Sequence, residues 1–521
     1  MGKLRITEEN RRWWILITMT GSLSMMLIDQ TVVSVALPTM QRDLGLTTTG
    51  VQWVVNAYLL AIAVFVALGG RAGDILGNVK VFRVGALLFV AASAACGFAQ
   101  SETWIIVART LQGIGAALMT PASGAIVINS FGPGERGRAM GIYAGVSMVF
   151  LALGPLIGGL LVQGVSWRAV FFVNLPVGIA MLALAQVTMR PDRPQGGRVD
   201  WVGAPLIVVG LGSLVLALMQ SRAWGWGSPA VIGLLVAAAV LIPATIAWEL
   251  RQREPLVQLR LFANRNFRGD NVALAAIQFA ITGVSVFGAI WVQDVLGFGA
   301  IEAGLSLLPL TIPLLLIAPR VGVVYDRIGP RLPVAAGAAC VGVALVWNAL
   351  WMRELSYAWM APGYVLMGVG LGLAMSPANT DAMNAAPMLL RGQASGVIQT
   401  VRQVGATLGI ALMGTIVANV QLSRVEDVIA RNDIPGAEAQ QLESALNSAG
   451  ASSGSAAAGE VPPALAHELR EAVTSAVAAA YWVAAALLLL AAVFAFATLR
   501  RQRAADADPD GEGAGAYAAV G

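Results

Sequence analysis

Apolar stretches of about 20 residues alternate with short polar segments along almost the whole chain. A helix rising about 1.5 Å per residue needs roughly that many apolar residues to cross the hydrocarbon of a bilayer. Fourteen runs meet the requirement. The first six lie near 13–37, 51–70, 81–100, 103–128, 139–163 and 169–189, and a central pair near 201–220 and 229–248. The last six lie near 268–292, 302–320, 332–351, 360–380, 393–419 and 475–498. The pattern predicts an all-α membrane protein of fourteen transmembrane helices. The first run contains Asp29 and has no small-residue cleavage site, so it reads as a retained helix rather than a removed leader.

The charges sort themselves by side. With the N-terminus in the cytoplasm, 24 of the 33 Lys and Arg fall on cytoplasmic segments and 7 on external ones. The remaining two, Arg109 and Arg402, lie within helices (24 + 7 + 2 = 33). A wrong number of spans would scramble this parity, so the asymmetry supports both the fourteen helices and cytoplasmic termini. A long external loop then runs from about 420 to 474, rich in Ala, Ser and Gly, and its end is expected to form a short surface helix. The tail 501–521 reads as disordered and cytoplasmic.

The two halves echo each other. Gly45, Gly70, Asp74 and Gly77 recur as Gly297, Gly322, Asp326 and Gly329, at an offset of 252. Gly113, Gly115, Gly137, Gly141 and Gly154 recur as Gly368, Gly370, Gly392, Gly396 and Gly409, at 255. One register held over thirty residues and shifted by only three is no chance match. The repeat pairs helices 1–6 with helices 9–14 and leaves helices 7 and 8 as an insertion. The expected parts are an N-terminal segment 1–12, a six-helix bundle 13–190, inserted helices within 191–250 and a second bundle 251–500. Two six-helix halves are the plan of major facilitator transporters, whose substrate site lies between them near the midplane.

Composition narrows the chemistry. Only 12% of residues are charged and 57% are hydrophobic, against about 25% and 45–50% in soluble domains. One histidine, His467, cannot build a histidine triad or a multi-histidine metal site. The only Gly-Lys pair, Gly2-Lys3, precedes Leu4, so no phosphate-binding loop is present and no ATP is expected to drive the chain. Cys96 and Cys340 offer neither a disulfide framework nor metal spacing. No enzyme activity, cofactor, metal or nucleic acid is expected.

An ionisable residue inside hydrocarbon is a functional candidate by default. Asp29 stands nine residues before Pro38, and Arg109 seven after Glu102. Both therefore sit roughly 10–14 Å below the external surface and can face each other across the first bundle. Such a pair is either a structural ion pair or a proton-coupling site, with the coupling role favoured. Arg402 lies midway along helix 13, with Gln399 on the same face, and no embedded carboxylate of the second half is visible as its partner. It is equally a cavity cation or a residue holding helices together. Gln278, Asn56, Tyr58 and Gln112 are further polar positions for a substrate cavity. Taking Asp29 as the only embedded carboxylate, the ionised site carries −1 + 2 = +1, which favours neutral or anionic substrates.

Gly154-Pro155, followed by Gly158, removes a backbone hydrogen bond and thins helix 5, the makings of a bent, tightly packed gate. The turn carrying Gly70, Asp74 and Gly77, and its repeat Gly322, Asp326, Arg327, Gly329 and Arg331, reads as a conformational lock between the halves.

These motifs together resemble the fourteen-helix drug:proton antiporter branch of the major facilitator superfamily. Leu27–Pro38 is similar to its helix-1 signature, Arg109–Ala117 to its helix-4 signature, and Gly141, Gly154, Pro155 and Gly158 to its helix-5 antiporter motif. Trp167–Pro176 is also similar to the branch. The resemblance covers about residues 13–500 and assigns the helix-4 arginine, here Arg109, to proton transfer. Two positions depart from it. Ile75, Asn78 and Val79 replace basic residues in the first lock, and Phe150 stands where the helix-5 motif has glycine. The resemblance implies a proton-driven exporter of amphiphilic drugs or natural products in the cytoplasmic membrane, working as a monomer. Relatives of such proteins also import or translocate lipids and metabolites. A non-transporting membrane sensor or scaffold is the alternative from another class, but it has no need of embedded Asp and Arg at matched depth.

Overall fold

The structure, a computed structural model, describes residues 6–190, 192, 196, 200–252, 254–387, 390–431 and 463–500. Its helices in chain order are α1 (Glu8–Leu44), α2 (Thr48–Leu76), α3 (Asn78–Gly97), α4 (Glu102–Ser130), α5 (Arg136–Gly164) and α6 (Ala169–Thr188). The inserted pair is α7 (Gly203–Trp224) and α8 (Pro229–Glu249). The second set is α9 (Arg265–Asp294), α10 (Glu302–Ile328), α11 (Arg331–Glu354), α12 (Tyr357–Asn384), α13 (Arg391–Arg431) and α14 (Pro463–Thr498). Thirteen are long and apolar enough to cross a bilayer. The other, α5, counts as one span across a 44° bend between Leu151 and Leu156. That bend brackets Gly154-Pro155, where proline supplies no amide hydrogen to the helix ladder.

Several starts have a local cause. Thr7, Thr47, Ser101, Ser228 and Asn264 cap α1, α2, α4, α8 and α9 with side-chain acceptors for the first free amides. Asp192 accepts from the amides of Asn78 and Val79 and so caps α3 from a distant part of the chain.

The internal repeat is visible in the backbone. Gly45 and Gly297 are repeat-mates with φ of 62° and 75°, and Gly77 and Gly329 are repeat-mates with φ of 94° and 79°. These values lie in the left-handed region that glycine enters without cost. Packing repeats as well. Gly113 of α4 lies against the Tyr58 carbonyl of α2, and Gly368 of α12 against the Leu310 carbonyl of α10. Gly115 meets Gly85 and Phe89 of α3, while Gly370 meets Gly337 and Val341 of α11. Every one of these partners is shifted by 252 residues, the offset read from the sequence.

One face of the bundle carries both ends of the described chain. Arg12 of α1 pairs with Glu135 before α5, and Arg190 after α6 pairs with Glu8 at 2.6 Å. On the same side the Arg500 amide donates to Asn266 of α9 (3.1 Å). The inserted α7 contacts both α2 of the first half and α13 of the second, so the pair lies along the seam. Two helices outrun their predicted spans. α13 continues to Arg431 and α14 begins at Pro463, so the expected short surface helix is a continuous extension of α14. The rest of the long loop, with the tail 501–521, lies outside the described residues.

Candidate functional site

Asp29 and Arg109 form a buried ion pair. Arg109 Nη1 donates to Asp29 Oδ2 at 2.6 Å, with side-chain exposures of 1% and 0%. Stranding either charge in such a place is costly, so the surroundings must satisfy both. Asp29 Oδ1 accepts from Gln112 Nε2 (2.9 Å) and Asn174 Nδ2 (2.8 Å). Arg109 Nε donates to the Val54 carbonyl (3.0 Å), and Nη1 also to Gln112 Oε1 (2.8 Å). The guanidinium carbon sits 4.2 Å from the centre of the Tyr58 ring, in cation–π geometry. Asn174 also donates to Ser93 Oγ (3.1 Å), which donates on to the Phe171 carbonyl (2.9 Å). The network thus joins α1, α2, α3, α4 and α6. Protonating Asp29 would turn one acceptor into a donor, and several helices would have to readjust.

Tyr58 and Gln112, expected in a substrate cavity, are fully buried and belong to this network instead. Asn56, on the same helix as Tyr58, is half-buried and takes no part in it. Sequence reasoning gave Asn174 and Ser93 no role. Asn174 lies inside the Trp167–Pro176 stretch, and that was the available signal. The start of the stretch has its own task. Trp167 Nε1 and Arg168 Nη1 both donate to Asp43 (2.8 and 2.6 Å) and pin the far end of α1.

Arg402 gathers two of its expected companions. It donates to Gln399 Oε1 (2.9 Å) and, through Nε and Nη2, to Gln278 Oε1 of α9 (3.3 and 3.1 Å). Neither partner carries a charge, so the cation is solvated by amides and remains free to attract an anionic group. Beside α13, a cavity of about 210 Å³ opens between the inserted pair and the seam, walled by Ala67, Ile207, Ile242, Glu249, Val397 and Thr400 among others. Its lining is almost wholly apolar.

The halves meet on the face bearing the termini. Asp74 of α2 accepts from the amides of Gly392 and Gln393 (2.9 and 2.8 Å), the first turn of α13 in the other half. A carboxylate at a helix N-terminus meets free amides and the positive end of the dipole. The first lock therefore closes through its aspartate, although Ile75, Asn78 and Val79 stand where the resembled motif is basic. Symmetrically, Asp326 of α10 lies beside Gly137 and Arg136 of α5. Gly70 packs on Gly392, and Gly322 on Gly137, backbone to backbone. Arg391 donates to Asn129 (2.7 Å) and Arg136 to Asn384 (2.9 Å), both across the halves. Arg331 does not join the lock. Its Nε donates to the Phe496 carbonyl (2.9 Å) and its guanidinium covers that ring, within its own half, while Arg327 is exposed. Gly154 and Gly158 pack against Thr31 and Val32 of α1, just beyond Asp29 in the chain, so the bent part of α5 lies against the helix that carries the aspartate.

The premise of a single embedded carboxylate fails. Asp270 of α9 and Asp381 of α12 are also buried, and Asp74 is buried at the seam, so a net charge of +1 does not describe the interior.

The Major Facilitator Superfamily sequence profile matches residues 19–410. The chain belongs to that superfamily. Among its relatives is the tetracenomycin C resistance and export protein of Streptomyces glaucescens, 36% identical over 87% of this chain and 84% of its own. The multidrug resistance protein Stp of Mycobacterium tuberculosis is 33% identical over 78% of this chain and 76% of its own. Among solved structures, the proton:xylose symporter XylE superposes with a TM-score of 0.63 at 13% identity, covering 96% of this chain and 98% of that one. That likeness shows the fold alone. This member of the superfamily is a multi-pass membrane transporter, not an enzyme.

Proposed function

We propose that this chain is a proton-coupled antiporter that exports amphiphilic drugs or natural products across the cytoplasmic membrane, with both termini inside. The observation that carries the reading is the buried Asp29–Arg109 pair, held by three donors to the carboxylate on a helix that packs against the bent part of α5. Its relatives named for resistance to tetracenomycin C and to multiple drugs support the substrate class and the direction of this reading. In this reading the lock on the terminal face is closed and the site is reached from outside. A proton reaching Asp29 weakens its hold on Arg109, Gln112 and Asn174. The halves then rock, the terminal face opens, and the proton leaves inward as substrate binds.

Everted vesicles with an acid interior test this. A fluorescent amphiphile should accumulate only while the gradient lasts, and its addition should speed proton efflux from the vesicles. Accumulation that persists when the gradient is collapsed rejects proton coupling. Arg402, solvated by Gln278 and Gln399, is read as the cavity cation. A hydrogen bond to a charged group contributes about 1.5–3 kcal/mol, so Arg402→Ala is expected to lower transport of anionic substrates relative to cationic ones by about tenfold or more. The proton dependence should not change. Loss of folded protein in Arg402→Ala, with Arg402→Lys behaving as wild type, would instead mark a residue that only holds helices together.

A further inference from the structure

Asp270 is fully buried, and among the described residues neither of its carboxyl oxygens receives a hydrogen bond. The group it touches is the carboxyl of Asp381 on α12. Asp381 is well served: Asn266 Nδ2 donates to one oxygen (2.9 Å) and the Tyr325 hydroxyl to the other (3.1 Å). Two carboxylates in contact away from water repel strongly, and an anion without a donor is costlier still. Both problems vanish if Asp270 keeps its proton and donates it to Asp381.

We propose that Asp270 and Asp381 form a second proton-binding site, distinct from Asp29, which holds one proton while the terminal face is closed and releases it when that face opens. The site is wired to the seam. Tyr325, which donates to Asp381, accepts from Asn384 Nδ2 (3.1 Å), and Asn384 Oδ1 accepts from Arg136 of the other half (2.9 Å). The Tyr325 ring also lies against Gly137, where α5 and α10 touch. Ionisable groups on the neighbouring elements extend this arrangement. From α10 come Tyr325 and, nearer the seam, Asp326. From α5 comes Arg136 and from α13 Arg391, which turns to Asn129 of α4. Beyond α14, Arg500 meets Asn266 through its backbone amide. Among the described residues no salt bridge reaches Asp270 or Asp381, which leaves a proton to neutralise the pair.

Opening the face separates α10 and α12 from α5 and admits water. Hydrated, Asp270 and Asp381 can both ionise, and one proton passes to solvent. The sign follows. The closed state binds the extra proton, so acid favours closure and closure is lost as pH rises. One linked proton changes the closed-to-open ratio by at most about tenfold per pH unit. The site exists whether or not Asp29 couples transport, and the two are tested apart.

The test uses the full chain in lipid nanodiscs. Infrared difference spectra across a pH titration should show a carboxylic-acid C=O band in wild type and in Asp29→Asn, and its loss in Asp270→Asn. Spin labels at Gly134→Cys and Ala263→Cys, with Cys96 and Cys340 replaced, report the gap between the halves on this face. In wild type the short-distance population should fall as pH rises. In Asp270→Asn, whose amide donates to Asp381 as the acid does, that population should stay high and flat. Should Asp270→Asn not fold, Asp381→Asn offers Asp270 a donor and should lose the same band. A band that survives the substitution, or a wild-type pH response in Asp270→Asn, overturns the proposal.

Discussion

Asp29→Asn is expected to abolish gradient-driven export while leaving drug binding measurable. The substitution keeps the shape and the hydrogen bonds with Gln112 and Asn174 within reach, but removes the only charge paired with Arg109. Breaking a buried pair on one side costs about 3–5 kcal/mol, because the remaining charge is left in an apolar place. Part of that cost is relieved by the Val54 carbonyl, Gln112 and the Tyr58 face. The variant should therefore fold with a lowered melting temperature. The double variant Asp29→Asn/Arg109→Gln should regain stability, since no charge is stranded, yet remain without gradient-driven export. That divergence separates the two readings of the pair. A purely structural ion pair predicts that stability and export recover together in the double variant. Everted-vesicle transport and thermal unfolding of the purified variants measure both. Export at wild-type rate in Asp29→Asn would remove Asp29 from the coupling mechanism.

Why this pair was legible in the sequence, and the second acidic site was not, has a physical reason. Asp29 and Arg109 each interrupt a long apolar run, and a fixed rise per residue converts their distance from a span end into depth. Matched depth is nearly a contact prediction in a bundle of parallel and antiparallel rods. Asp270 and Asp381 lie at the margins of their predicted spans, 268–292 and 360–380, where a carboxylate reads as an interfacial residue. α9 and α12 in fact extend to Arg265 and Asn384, and that extension draws both into the protein. Amide side chains were harder still. Gln112 and Asn174 bond Asp29, whereas Gln399 and Gln278 bond Arg402, and nothing in a lone Gln or Asn says which charge it will face. The glycine repeat was the opposite case. Gly70 and Gly322 recur because two seams related by the repeat demand the same close approach. Arg331 shows the limit of motif reading: its neighbours belong to the lock, but its own long side chain reaches back to Phe496.

The seams carry the other large expected effect. Gly137→Val should hold the terminal face open and arrest transport at the opposite end of the cycle from Asp29→Asn. A Cβ at Gly137 would overlap the Gly322 carbonyl and press on the Tyr325 ring, and both groups belong to the other half. Within its own helix a valine is tolerated, so the cost falls on the closed state and not on the fold. Overpacking of a tight contact costs about 1–3 kcal/mol, enough to shift the closed-to-open ratio by about 5- to 150-fold. Gly70→Val, which would overlap the Gly392 carbonyl at the repeat-related seam, should do the same, because the two contacts close together. Thiol labelling from the terminal side, at a cysteine placed in either seam, should rise in both variants while the melting temperature stays near wild type. The substrate should still bind, but only from that side. If Gly137→Val labels like wild type and transports normally, closure does not depend on this backbone approach. The lock would then rest on its polar contacts, those of Asp74, Arg136 and Arg391, whose hydrogen bonds can be remade by small shifts as a backbone clash cannot.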